Sequence, residues 1–210
     1  MRRTTVFAVG IAVTALIATG CSSGNNSANP SSTPPPSGSS TASTSAEPTT
    51  AVADSGGAFS AAGPDFTYNE AAVPIGSTLT AEVDEADGMT TVDIQVTGLQ
   101  PDRAYGAHAH TLACGPTPSD SGPHYQNQKD PAATPETPSS DPAYANTQNE
   151  VWLDFTTDSA GNASAATMVE WEFRPGEAQS IVIHDHRTST EPGKAGMAGD
   201  RLACVPVQFP

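Results

Sequence analysis

The chain has 210 residues and a formal net charge of −15 at neutral pH, which allows one ordinary domain with extra segments. So acidic a chain argues against nucleic acid or anionic lipid headgroups as partners, and two of its few positive residues, Arg2 and Arg3, lie in a segment read below as removed. The acidity is read as serving solubility.

Arg2 and Arg3 precede an apolar run from Val6 to Ala18, too short to span a bilayer, that ends in the small residues Ala18, Thr19 and Gly20 before Cys21. Residues 1–20 are expected to be a signal peptide. Small residues immediately before a cysteine resemble the bacterial lipobox. That resemblance implies a lipidated Cys21 as the mature N-terminus and an anchored protein at the outer face of the cytoplasmic membrane or in the cell envelope. The alternative is an ordinary cleaved signal with an incidental cysteine. From residue 21 to 58 the chain is mostly Ser, Thr, Pro, Ala and Gly. Such a segment cannot bury enough apolar surface to offset the entropy of ordering, so it is expected to be a disordered tether. Residues 59–210 remain for one folded domain.

Within that domain, apolar residues recur at period two in Leu79-Ala81-Val83, Val92-Ile94-Val96, Val151-Leu153-Phe155 and Val169-Trp171-Phe173, the spacing of half-buried strands. Asp87-Gly88 separates the first two as a hairpin turn would, Gly98 ends the second, and Ala160-Gly161-Asn162 stands between the third and fourth. Ile181-Val182-Ile183 and the stretch from Leu202 to Phe209 add further strands. The expectation is an all-β, antiparallel sandwich or barrel of seven or eight strands. Between Cys114 and Asn149 runs a long stretch rich in Pro, Ser, Asp and Asn, and loops of that length in a compact domain are usually functional or disordered. With Cys21 lipidated, Cys114 and Cys204 are left either to pair, as an oxidising compartment favours, or to stay as two buried thiols.

The chain holds only five histidines. His108 and His110 stand two apart at the end of a strand, so they share one side and can grip one ion together. His184 follows an apolar run directly, and His124 lies in Gly122-Pro123-His124-Tyr125. Imidazole suits copper and zinc, and four nitrogens suit tetragonal copper(II). His186 has no partner at matching spacing and is read as a surface residue.

Gly106-Ala107-His108-Ala109-His110, Cys114, Gly122-Pro123-His124-Tyr125, Ile183-His184 and Ala198-Gly199-Asp200-Arg201-Leu202-Ala203-Cys204 follow in order the signature segments of copper-zinc superoxide dismutases. The chain resembles that family from about Ser77 to Phe209. The resemblance implies a Greek-key β-barrel and superoxide as substrate, converted to dioxygen and hydrogen peroxide. It also implies copper ligands at His108, His110, His124 and His184, with His124 the bridging, releasing ligand. Arg201 would guide the anion, and Cys114 and Cys204 would form the disulfide.

The departure follows His124. The family supplies two more histidines and an aspartate to zinc, whereas no histidine occurs here between His124 and His184. Glu150 stands near the place of the zinc aspartate, Asp130 and Asp141 are loose carboxylates in the loop, and Thr188 stands where the family has an aspartate linking the two metal sites. One imidazole and one aligned carboxylate are too few for a closed zinc site. The chain therefore resembles a copper-only actinobacterial superoxide dismutase-like lipoprotein, with zinc not expected. Something other than zinc must then orient His124, and a Glu150 carboxylate on that ring is predicted, making Arg201, His124 and Glu150 the catalytic set. Lys194 is a second candidate for steering the anion. A non-enzymatic, copper-buffering lipoprotein on the same barrel is the alternative function.

Overall fold

The computed structural model describes residues 51–134 and 136–210, so the signal peptide, Cys21 and the tether up to residue 50 lie outside the described residues. The strands described are β1 (Ala51–Ala58), β2 (Phe66–Thr67), β3 (Thr78–Ala86), β4 (Met89–Thr97), β5 (Ala104–His110), β6 (Phe155–Thr156), β7 (Ala163–Val169), β8 (Ser180–His184) and β9 (Arg201–Pro206). They form two antiparallel sheets, one in the order β1-β3-β4-β7 and one in the order β2-β9-β8-β5-β6. The all-β architecture expected from the period-two spacing is the one observed.

Leu79, Ala81 and Val83 of β3 lie opposite Val96, Ile94 and Val92 of β4, so both apolar sets fall on one face and are buried. Asp87 and Gly88 join the strands with φ of 55° and 79°, the positive values a two-residue hairpin turn needs to match strand twist. The other sheet contributes Tyr105, Ile181, Ile183 and Leu202 to the same core. Each such side chain, fully buried, is worth about 1.5 to 3 kcal/mol in transfer terms.

Three elements differ from expectation. Residues 51–58, assigned to the tether, pair along their whole length with β3, from Ala51↔Glu85 to Ala58↔Thr78, so the folded part begins before residue 59. A strand of small residues with one larger apolar side chain leaves no period-two pattern, and its ladder forms on the edge of β3. The strand expected around Val169-Trp171-Phe173 instead starts at Ala163 and stops at Val169. Trp171 and Phe173 keep the alternation and are buried. Their backbone groups, however, bond to side chains: Thr90 Oγ1 donates to the Trp171 carbonyl at 2.7 Å, and Phe173 N–H donates to Glu85 Oε1 at 2.7 Å. Of Val151-Leu153-Phe155 only Phe155 enters a regular ladder, while Trp152 bridges to His108 and Leu153 N–H donates to the Ala107 carbonyl at 2.8 Å.

The alternation along β5 positions the site. Tyr105, Ala107 and Ala109 enter the core, so Gly106, His108 and His110 face the other way. Opposite them, Val151, Leu153 and Phe155 are buried in the core and turn Glu150, Trp152 and Asp154 to the same outer face. Among the described residues, the stretch after β5 carries one 3-10 turn, Pro118–Ser121, and no regular strand before β6. Its start is tied to β9 by the Cys114–Cys204 disulfide, with Cα atoms 5.7 Å apart and a sequence separation of 90 residues. The two thiols are therefore paired.

Replacing both cysteines by serine removes a constraint on a long loop of the unfolded chain and should lower stability by about 4 kcal/mol in the chain-entropy view. Denaturant unfolding of the double variant against the oxidised protein measures this.

Candidate metal centre

His108 and His110 come from β5, His184 from the end of β8, and His124 from the long loop, where it bridges to His110 across an antiparallel contact. One ring nitrogen from each of the four lies within 4.8 Å of the corresponding atom on every other. Gly106 pairs with His184 across the β5–β8 ladder, and the β8–β9 ladder shifts register between Ile183 and His184. His108, His110 and His184 are buried, whereas the His124 side chain keeps 19 % of its surface exposed.

The outer nitrogen of each ring is held by an acceptor. His110 Nδ1–H donates to the Gly122 carbonyl at 2.9 Å, His184 Nδ1–H to the Gly199 carbonyl at 3.3 Å, and His124 Nδ1–H to Glu150 Oε2 at 3.0 Å. A neutral imidazole carries one proton, so these bonds leave Nε2 of each ring as a bare lone pair facing inward. His108 is turned the other way: its Nε2–H donates to Thr188 Oγ1 at 2.7 Å, and its buried Nδ1 has no hydrogen-bond partner. Two bare nitrogens, His110 Nε2 and His184 Nε2, stand only 3.3 Å apart. A buried polar atom without a partner is costly, and facing lone pairs repel. A cation among them relieves both, so the donor set fits a metal ion bound by imidazole.

Electrostatics keep the rings available. Burial, and then the charge that His124, His184, His110 and Arg201 would place nearby, hold the His108 imidazole well below its ordinary range. His110 is likewise well below, from burial first and then His124, His184 and Arg201, with the Gly122 carbonyl opposing. Burial, followed by His124, lowers His184 to about 3 against the opposing Gly199 carbonyl. Neutral imidazole is the form that ligates a metal.

The Glu150 carboxylate stands against His124 as predicted, and it is 2 % exposed. It accepts two further bonds the sequence did not reveal, from Gln126 Nε2 to Oε1 at 2.7 Å and from Trp152 Nε1 to Oε2 at 2.7 Å. The signal was available for Trp152: it alternates with core residues and so shares the face of Glu150.

A cleft of about 650 Å³ opens over the rings, walled on one side by the long loop and on the other by residues 196–201. His124, His184, Glu150 and Arg201 all line it. Arg201 Nη1 donates to the Pro118 carbonyl at 2.9 Å and Ser121 Oγ at 3.0 Å, which fixes the guanidinium without cancelling its charge. Lys194 is not on the cleft wall; it is exposed and stands 3.7 Å from Glu191, so the steering role considered for it is withdrawn. Asp130 is engaged by Ser139 and Asp141 by the Ala143 N–H, and His186 lies exposed outside the cluster.

The sequence profile described as copper/zinc superoxide dismutase matches residues 75–207. The chain belongs to the copper/zinc superoxide dismutase family. The antiparallel β-sandwich is that of the family, whose substrate is superoxide, and the four histidines are placed where they can hold a metal ion. No curated protein matches the chain. Among solved structures, the Cu/Zn superoxide dismutase from Brucella abortus is 17% identical, with 76% of this chain and 99% of that chain covered and a TM-score of 0.49. A double mutant of a SOD-like protein from Bacillus subtilis is 17% identical over 61% of this chain and 88% of that chain, with a TM-score of 0.44. A single-site variant of that Bacillus subtilis protein is 15% identical over 62% and 89%, with a TM-score of 0.45.

Glu150→Gln places an amide donor where three donors already converge. It should cost about 1 to 3 kcal/mol in stability and about tenfold or more in the affinity of the four-histidine site for copper(II). Thermal unfolding and chelator competition read the two effects, and unchanged values in both would remove Glu150 from the site's support.

Proposed function

We propose that this chain is a copper-dependent superoxide dismutase, a copper-only member of its family, anchored through Cys21 at the outer face of the cytoplasmic membrane. The observation that carries the reading is the convergence of four inward ring nitrogens, one of them buried without a partner, beneath a cleft that Arg201 also lines. Copper bound there would supply one-electron chemistry: an electron taken from one superoxide, released as dioxygen, and an electron returned with two protons to a second, released as hydrogen peroxide.

The protein's residues prepare that exchange. Arg201 holds a positive charge on the cleft wall against a carbonyl and a hydroxyl, so it offers an anion a local partner although the whole chain repels it. The carbonyls of Gly122 and Gly199 hold the buried His110 and His184 rings in place. His124 is the most exposed ring of the four, and Glu150 fixes its Nδ1–H so that Nε2 keeps facing the other three rings.

Zinc is not expected beside copper. Glu150, the carboxylate nearest His124, has both oxygens engaged by Gln126, Trp152 and His124, and the loop supplies no other imidazole. A single imidazole whose outer nitrogen is already donating does not make a second site. Export and lipidation rest on the sequence at residues 1–21, and the disulfide is consistent with the oxidising compartment they imply.

Loading the protein separately with copper and with zinc, followed by metal analysis and a superoxide-consumption assay, tests the reading. One copper per chain with catalytic consumption, and inactivity with zinc, is expected. Copper held without turnover would make the chain a buffering lipoprotein instead, and stoichiometric zinc beside copper would contradict the copper-only reading. Arg201→Ala should lower the second-order rate about tenfold and flatten its dependence on ionic strength.

A further inference from the structure

Thr188 stands where the family has an acidic residue, yet it does not leave His108 unsupported. Its hydroxyl contacts His108 Nε2 at 2.7 Å on one side and Asp154 Oδ1 at 2.5 Å on the other. Asp154 Oδ2 accepts the backbone N–H of the same Thr188 at 2.7 Å, so both carboxylate oxygens are committed to one residue. A hydroxyl has a single proton and a carboxylate can only accept. The Thr188 proton therefore points at Asp154, and Thr188 Oγ1 must accept from His108. That forces the His108 proton onto Nε2 and leaves Nδ1 bare, and Nδ1 is the buried nitrogen without a partner.

The placement of this chain of contacts is built into β5 and its neighbours. Asp154 shares a face with Trp152 and Glu150, because Val151, Leu153 and Phe155 take the core side. Thr188 reaches His108 because Gly106, two residues before it on the same face, has no side chain. A Cβ there would lie 2.7 Å from the His186 carbonyl oxygen, 2.8 Å from Ala198 Cβ and 3.3 Å from Thr188 Oγ1. The glycine lets the segment carrying Thr188 lie directly on the strand.

We propose that Asp154 is a positioning residue which, through the Thr188 hydroxyl, fixes the tautomer of His108 and thereby selects Nδ1 as its inward, metal-binding nitrogen. The proposal rests on the four-histidine metal reading above. His108 is the one ring of the four whose inward atom is Nδ1, and it is also the one whose outer nitrogen meets a hydroxyl, a group able to donate or accept, in place of a carbonyl or carboxylate. A hydroxyl alone would permit either tautomer. Asp154 removes that ambiguity.

Asp154→Asn gives a directional test. The Thr188 N–H keeps the amide oxygen on its side, which turns the amide NH2 towards Thr188 Oγ1. The hydroxyl proton, released from the carboxylate, is then free to be donated to His108 Nε2, which moves the ring proton to Nδ1, the wrong nitrogen for the metal. Long-range proton–nitrogen NMR of the His108 ring in the metal-free full chain reads the tautomer directly. Competition for copper(II) against a chelator reads affinity, and the copper(II) EPR spectrum reads the ligand set. The wild type should show the Nε2–H form. Asp154→Asn should shift it to the Nδ1–H form, lower copper affinity ten- to a hundredfold and change the EPR hyperfine splitting. Thr188→Val should give a mixture of tautomers, and Thr188→Ser should restore the wild-type tautomer and spectrum, a rescue that bulk packing would not produce. If Asp154→Asn does not fold, the Thr188 pair decides alone. An Nε2–H ring in every variant, or serine failing to restore what valine loses, overturns the proposal. A wild type that binds no copper, with the tautomer shift still produced by Asp154→Asn, overturns the metal reading and leaves the Asp154 relay standing.

Discussion

Everything about the centre depends on where four protons sit. Each ring has its outer nitrogen committed to a partner: the Gly122 and Gly199 carbonyls, the Glu150 carboxylate and the Thr188 hydroxyl. A neutral imidazole has one N–H, so committing it outward leaves one inward lone pair per ring. The result is a small, mostly buried, electron-rich pocket that excludes its own protonation, as the lowered His108, His110 and His184 show. The β-sandwich contributes rigidity: the same alternation that buries Ala107 and Ala109 holds His108 and His110 on the opposite face. The disulfide ties the long loop that carries His124 to β9, the strand that begins with Arg201.

The absence of further histidines after His124 has a structural counterpart in Glu150. The carboxylate is buried against His124 and accepts from three donors, among them the indole of Trp152. A buried charge of this kind is stable only when its lone pairs are matched, and here they are. The ring that faces solvent thus has a fixed axis supplied by the protein itself. Arg201 provides the complementary device on the cleft wall, held by neutral acceptors so that its charge remains available to an anion.

Most of the core and the four histidines were legible in the sequence because each rests on local rules. Leu79 to Val96 alternates around an Asp-Gly turn, and His108 and His110 share a strand face. What was not legible depends on non-local partners. Strand β1 has no period-two apolar pattern and pairs on the edge of β3, so residues 51–58 read as tether. The ladder around Trp171 ends because Thr90 and Glu85, distant in sequence, take over its backbone groups. The contact of Thr188 with Asp154 joins residues far apart along the chain, and Thr188 taken alone read as a loss. Lys194 was legible as a charge but not as a position: its place away from the cleft is set by the turn that pairs it with Glu191. Gln126, near in sequence to His124, could be placed only once Glu150 was seen to be buried.

Anomalous diffraction from crystals of the full chain loaded with both metals, recorded at the copper and the zinc absorption edges, tests the central claim most directly. The account predicts a single copper peak bound by His108 Nδ1 and by Nε2 of His110, His124 and His184, with no zinc peak between His124 and Glu150. Copper located away from these four nitrogens, or zinc at Glu150, would contradict it.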